Sequence, residues 1–88
     1  MNIADLRATL GYTQEQLSSL LGVHYMTVSN WERKNLDPSP YQSALLQVFT
    51  LAVRRDPKIG RSAYNDFVVK GLGFALHRVF DAAYGDRP

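Results

Sequence analysis

Four side chains that can form specific contacts with a planar, hydrogen-bonding partner lie close together between positions 25 and 30. Tyr25 and Met26 offer an aromatic ring and a flexible thioether. Ser29 and Asn30 offer a hydroxyl and an amide. At about 100° per residue these side chains fall on one arc of an α-helix, whereas Trp31 falls on the opposite side. One face of this helix is therefore expected to be free for recognition while the other packs in a core.

The residues upstream predict another helix that ends shortly before this one. Thr13 followed by Gln16 has the spacing of a capping box, so a helix is expected to begin at Gln14. Leucines follow at three- and four-residue spacing, and Gly22 can take the positive φ that ends a helix. The recognition helix is expected over about residues 25–33. Two helices joined by so short a turn are typical of a helix-turn-helix.

These segments resemble the Xre family of prokaryotic and phage regulators, which includes the lambda-type repressors and Cro proteins, over about residues 3–57. Two departures concern the ends of the recognition helix. The family usually places Gly soon after the Trp-Glu pair, so Asn35 is expected to take the left-handed conformation here. His24 stands where Ser, Thr or Asp is commoner, and it is expected to be a poorer N-cap. The resemblance rests on Thr13-Gln14-x-x-Leu17-x-x-Leu20-Leu21-Gly22-Val23, on Thr27-Val28-Ser29-Asn30-Trp31-Glu32-Arg33, and on Pro38-Ser39-Pro40 before a Leu-rich helix.

A helix-turn-helix brings the N-terminal residues of its second helix to base edges in the major groove of DNA. Tyr25 and Met26 suit contact with thymine methyls and one phenolic hydrogen bond, whereas Asn30 can bond adenine twice. Ser29 offers one adaptable hydrogen bond. The alternative for each is an ordinary surface or packing side chain. Contacts with the DNA backbone, or else solvated surface positions, are expected for Gln14, His24, Thr27, Arg33, Lys34, Tyr41 and Gln42.

Two further helices complete the predicted bundle. Asn2 can cap a first helix from about Ile3 to Leu10. Ser39 followed by Pro40 can begin a fourth helix that ends before Asp56-Pro57. The family resemblance implies that Arg7 and Glu32 form a structural ion pair between the first and third helices. Residues 1–57 are therefore predicted to be an all-α, lambda-repressor-like DNA-binding domain of four helices.

The remaining chain is predicted to be a linker, residues 58–61, and a helical segment, residues 62–88. Gly71 and Gly73 leave open whether this segment forms one helix or two, because each costs about 1 kcal/mol relative to Ala inside a helix. It carries more apolar side chains than an isolated terminal helix needs, so it is expected to form a dimer seam. The expected seam residues are Phe67, Leu72, Leu76, Val79 and Phe80.

Composition excludes several other classes of protein. The 88 residues contain no cysteine and only two histidines, far apart in sequence, so neither a metal nor another cofactor is expected. The sequence contains neither a Gly-rich phosphate loop nor a paired-His motif on a helix, so no enzymatic activity is expected. No leader or membrane-spanning apolar run is evident, which predicts a cytoplasmic location. The net charge of +2 permits nucleic-acid binding without arguing for it.

The sequence therefore predicts a homodimeric transcriptional repressor that binds a double-stranded inverted-repeat operator, at its own or a neighbouring promoter. Two alternatives use the same fold. The chain could be an antitoxin, or a phage operon regulator, whose C-terminal segment binds a toxin or other protein partner. It could also be an interaction module that has lost DNA binding.

Overall fold

The computed structural model describes residues 2–85, which form six α-helices and no strand. This all-helical architecture confirms the predicted fold class. Within the described residues, no helix is both long and apolar enough to cross a membrane. The helices are α1 (Ile3–Leu10), α2 (Gln14–Leu21), α3 (Tyr25–Glu32), α4 (Pro40–Arg55), α5 (Ile59–Lys70) and α6 (Leu72–Tyr84).

Side chains just outside the first, second and fourth helices set where those helices begin. The side chains of Asn2 and Ser39 accept hydrogen bonds from backbone amides in the first turns of α1 and α4. Thr13 and Gln16 form a complete capping box at α2. Each cap occupies an amide that has no partner inside its own helix, which is why these helix starts could be predicted from sequence.

The ends of α3 differ from the prediction in two details. His24 does cap the helix, because its Nδ1 accepts the backbone N–H of Met26 at 3.1 Å. The helix ends at Glu32, and Arg33 is its C-cap residue. The left-handed conformation expected at Asn35 occurs instead at Lys34, whose φ is 62°. The turn thus follows α3 one residue earlier than the family pattern suggested.

The predicted linker, residues 58–61, is wrong for three of its four positions, because α5 begins at Ile59. The N-cap residue of α5 is Lys58, and its side chain forms no capping hydrogen bond. Instead, Asp56 accepts the backbone N–H of Lys58 through Oδ1 and that of Ile59 through its carbonyl oxygen. Asp56 and Pro57 were interpreted only as the end of α4, although the same aspartate also begins α5. Residues 86–88 of the predicted C-terminal segment lie outside the described residues, as does Met1.

The C-terminal segment forms two helices that meet at Gly71. This residue has φ 102° and ψ 172°, a backbone conformation that is essentially restricted to glycine. Its N–H still bonds to the carbonyls of Asp66 and Phe67, so α5 is closed before the chain turns into α6. A single residue therefore separates two helices that pack against each other as a hairpin.

The α5–α6 hairpin belongs to the same core as the first four helices. Helix α6 packs on both α4 and α5, and small side chains such as Ala52, Ala75 and Ala63 are completely buried among them. Phe49 of α4 and Val79 of α6 are also 0% exposed. The prediction that Val79 lies in a dimer seam is therefore wrong, because its side chain is already enclosed within one chain.

Replacing Gly71 with Ala should destabilise the protein, because an L-residue at φ 102° is strained although the site has room for a methyl group. We expect a loss of about 1–3 kcal/mol in the free energy of unfolding, measured by denaturant titration. Gly73→Ala is the matched control, since Gly73 lies inside α6 with open space around it. The control should be neutral or more stable by up to about 1 kcal/mol. Equal effects of both changes would contradict this account of the break.

Candidate nucleic-acid interface

Helix α3 presents two large apolar side chains to solvent at its first two positions. Tyr25 and Met26 are each 43% exposed, whereas Val28 and Trp31 on the other side are 0% and 5% exposed. The packing of Trp31 in the core follows the sequence prediction. The division gives α3 one fixed face and one outward face, and the outward residues lie at the end where a recognition helix meets base edges.

Ser29 and Asn30 continue the outward face by one turn. Both side chains are half-buried. Within residues 2–85, neither side chain has a hydrogen-bond partner. The amide of Asn30 therefore has both its donor and its acceptor available. This is the arrangement needed for a paired hydrogen bond to an adenine edge.

His24 links the start of α3 to its aromatic side chain. While Nδ1 accepts the N–H of Met26, the imidazole ring stacks on the ring of Tyr25 with centroids 4.7 Å apart. The other ring nitrogen, Nε2, has no hydrogen-bond partner among the described residues. The cap therefore orients His24 and Tyr25 together. Nε2 remains available to a phosphate or base.

The residues predicted to contact the DNA backbone flank this outward face unevenly. Arg33 and Lys34 are exposed directly after α3, and Tyr41 is 70% exposed in the first turn of α4. Thr27 is half-buried. Leu36 was not among the predicted contact residues, yet it is 51% exposed in the loop between α3 and α4, beside the outward face. Its position as an apolar residue between Asn35 and Asp37, in a loop with two prolines, could have indicated its exposure.

Two predicted backbone contacts have side chains engaged inside the protein. The Nε2 amide of Gln14 donates to Glu32 at 3.2 Å. The Nε2 amide of Gln42 donates to the carbonyl of Leu21 at 3.3 Å, and its buried Oε1 has no partner. Gln42 thus gives one amide hydrogen to a carbonyl at the end of α2, and its contact with the DNA backbone stays a prediction.

The predicted ion pair between Arg7 and Glu32 is present and forms the junction of the first three helices. Nε and Nη2 of Arg7 donate to the two carboxylate oxygens of Glu32 at 2.7 and 3.1 Å. Nη1 donates to the carbonyl of Tyr12 in the turn before α2. With Gln14 also bonded to Glu32, the network fixes α2 and the end of α3 to α1. Bidentate contacts between Arg and a carboxylate add geometric specificity as well as stability.

Both partners of this pair have shifted pKa values. The hydrogen bond from Arg7 lowers the pKa of Glu32, and the bond from Gln14 acts in the same direction against desolvation. The hydrogen bond to Glu32 raises the pKa of Arg7. Because the folded-state pKa of Glu32 is depressed, the pair contributes stability above the unfolded-state glutamate pKa, about 4.3. That contribution is lost as the pH falls through the folded-state value.

Two helices joined by a sharp turn, with the second exposing its N-terminal face, define a DNA-binding helix-turn-helix. Residues 3–44 match the family model described as helix-turn-helix. Through these residues the chain contains a helix-turn-helix domain of the Xre, lambda-repressor-like type. It is accordingly a DNA-binding transcriptional regulator. Comparisons with curated proteins and with solved structures gave no match.

Removing Arg7 should destabilise the fold by about 1–3 kcal/mol, because the partly buried carboxylate of Glu32 loses its charged donor. Denaturant titrations of Arg7→Ala, Glu32→Gln and the double variant would measure the coupling between the two residues. We expect a clear coupling energy at pH 7 that decreases below the ordinary glutamate pKa, about 4.3, and disappears once the pH is below the depressed folded-state pKa of Glu32. Strict additivity at pH 7 would contradict the structural role assigned to the pair.

Proposed function

We propose that this regulator is a sequence-specific repressor that binds an inverted-repeat operator in double-stranded DNA as a homodimer and blocks a promoter, its own or a neighbouring one. The observation that carries the specific DNA contact is the outward face of α3. Tyr25 and Met26 are neighbours at the start of α3 and are each 43% exposed, whereas the other face of this helix is fixed in the core. A major groove with thymine methyls offers such side chains a partner.

In the proposed complex the start of α3 enters the major groove. Tyr25 and Met26 contact thymine methyls, and Asn30 forms two hydrogen bonds with an adenine. Ser29 adds one hydrogen bond to a base. None of these side chains has the charged fork that selects guanine, so the half-site is expected to be rich in A·T pairs.

Contacts with phosphates would hold this helix in register. His24, through Nε2, and Thr27 lie at the start of α3, while Arg33 and Lys34 follow its end. Tyr41 lies in the first turn of α4, where backbone amides and the positive end of the helix dipole favour an anion. Gln14 has a second amide hydrogen besides the one given to Glu32, which suits a phosphate oxygen.

Tyr25→Ala and Asn30→Ala should each weaken binding to the operator by about 1–3 kcal/mol while leaving the fold intact. Gel-shift titrations on the DNA directly upstream of the gene, with melting curves of the same variants, would measure both effects. Gln47→Ala is a control that removes an exposed amide from α4. If both α3 variants bind the operator as tightly as the wild type, the proposal that α3 contacts bases is wrong.

Support for a dimer comes from the distribution of exposed apolar residues. Apart from Tyr41 in α4, those outside the α3 face and its flanking loop lie in the α5–α6 hairpin. Isolated apolar residues are common on protein surfaces, whereas a contiguous patch of them marks an interaction surface. The hairpin residues concerned are Val68, Val69, Leu72, Phe74, Phe80 and Tyr84.

One stripe of α6 is the best candidate for the seam. Phe80 and Tyr84 lie one turn apart with ring centroids at 6.3 Å and are 43% and 61% exposed. Gly73 and His77 continue the stripe at three- and four-residue spacing. Gly73 has open space around it, so a partner helix could approach its backbone. Of the predicted seam residues, Phe80 lies on this stripe.

The other seam residues flank it or lie elsewhere. Leu72 is 37% exposed at the start of α6. Leu76 and Phe67 are half-buried and pack against the core of their own chain. In the proposed dimer, the two α3 helices would lie in successive major grooves, with half-sites about 34 Å apart.

Phe80→Glu should convert the dimer to a monomer and weaken operator binding, because a charge replaces an aromatic ring at the seam. Sedimentation at micromolar concentrations without DNA measures the first effect. Val69→Glu is the control, since Val69 is 68% exposed on α5, outside this stripe. A wild-type chain that sediments as a monomer would overturn the proposed homodimer. The α6 stripe would then be a candidate binding surface for a different protein, as in the antitoxin alternative.

A further inference from the structure

A groove of about 460 Å³ separates the turn after α1 from the outward face of α5. This volume lies in the range of small-molecule sites. One wall is the segment Leu10 to Tyr12, with Gln16 of α2 beside it. The opposite wall is formed by Arg61, Tyr64, Asn65 and Val68, which follow one another at the spacing of a single helix face. The groove is distinct from the α3 face and from the α6 stripe.

The floor of the groove is a close junction between the two walls. The hydroxyl of Tyr12 donates to the carbonyl of Gly60 at 2.6 Å, and both residues are buried. A Cβ atom at Gly60 would lie 2.2 Å from the carbonyl oxygen of Leu10, so only glycine fits there. The rings of Tyr12 and Tyr64 lie 5.7 Å apart. The two walls are therefore held at a fixed separation.

The groove combines a cation and amide donors with apolar surface. Arg61 forms no salt bridge within residues 2–85. Gln16 uses Oε1 to accept the N–H of Thr13, which leaves its Nε2 amide as a donor. Tyr64 and Val68 supply an aromatic and an aliphatic wall, and Val68 is 67% exposed. No acidic residue is among the described side chains that line the groove.

We infer that this groove binds a small organic carboxylate with a flat apolar body. The carboxylate would pair with the guanidinium of Arg61 and accept hydrogen bonds from the amides of Gln16 and Asn65. The apolar body would lie against Tyr64 and Val68. Because the ligand would contact both α5 and the turn leading into α2, it would join the helix-turn-helix to the C-terminal hairpin. This inference does not depend on the proposed operator or dimer.

The test uses phenylacetate as the probe and the ¹H–¹⁵N spectrum of the full chain as the readout. With about ten non-hydrogen atoms, phenylacetate should bind with a dissociation constant of roughly 1–10 mM. We expect saturable shifts of the Gly11 backbone amide and of the Gln16 and Asn65 side-chain amides. Uncharged phenylacetamide should bind at least about tenfold more weakly, because it cannot form the charge-assisted bond to Arg61.

Two pairs of exposed variants locate the site. Arg61→Gln should weaken phenylacetate binding at least about tenfold, whereas Arg54→Gln, which removes the same charge at the end of α4, should not. Val68→Glu should weaken binding because it places a carboxylate at the groove. Val69→Glu is its control, since Val69 is 68% exposed on a different side of the same helix. The remaining amide shifts report whether each variant is folded.

Three results would overturn the inference. The first is the absence of saturable shifts at about 50 mM phenylacetate, well above the expected dissociation constant. The second is equal binding of phenylacetate and phenylacetamide, or of wild type and Arg61→Gln. The third is a shift of the same amides on dilution without phenylacetate, which would mean that a second copy of the chain occupies the groove.

Discussion

The guanidinium of Arg7 is the contact on which the geometry of the DNA-binding face depends. Its three nitrogens reach the carboxylate of Glu32 at the end of α3 and the carbonyl of Tyr12 before α2. Gln14 binds the same carboxylate from the first turn of α2. Apolar packing fills the space between these helices, but it is not directional. The polar network fixes the rotation of α3, and thereby which residues face outward.

The α5–α6 hairpin supplies what a four-helix unit of this size lacks. Short chains bury a smaller fraction of their surface than long chains do, and α6 extends the core by packing on α4 and α5. Polar contacts hold the hairpin in place: Arg78 pairs with the buried carboxylate of Asp66, and Arg55 donates to the carbonyls of Ala83 and Gly85. The hydrogen bond from Arg78 lowers the pKa of Asp66. The helix-turn-helix and the hairpin therefore share one core.

Sequence reasoning located the first four helices because their boundaries are encoded locally. Capping side chains such as Thr13, and Gly22 at φ 72°, act over a few residues and can be recognised from spacing alone. The ion pair of Arg7 with Glu32 came from the family resemblance. The side of α3 that packs was predictable because helical periodicity places Trp31 opposite Tyr25.

The errors concern positions where tertiary contacts decide the outcome. Helix α5 begins without a capping side chain on its N-cap residue, so local patterns gave no reason to start it at Ile59. Helical periodicity placed Val79 on an apolar face of its helix, but it could not show whether that face packs in the core or forms a dimer seam. Which bases the outward face contacts is not encoded in the fold of the free chain.

The central claim is that the outward face of α3 selects a DNA sequence in pairs of half-sites. The most direct measurement is selection of bound duplexes from a random library by the purified full chain, followed by sequencing of the enriched pool. The account predicts enrichment of an A·T-rich inverted repeat whose half-site centres lie about 10 base pairs apart. A pool that shows no enriched motif, while salt-sensitive binding to all duplexes persists, would contradict it.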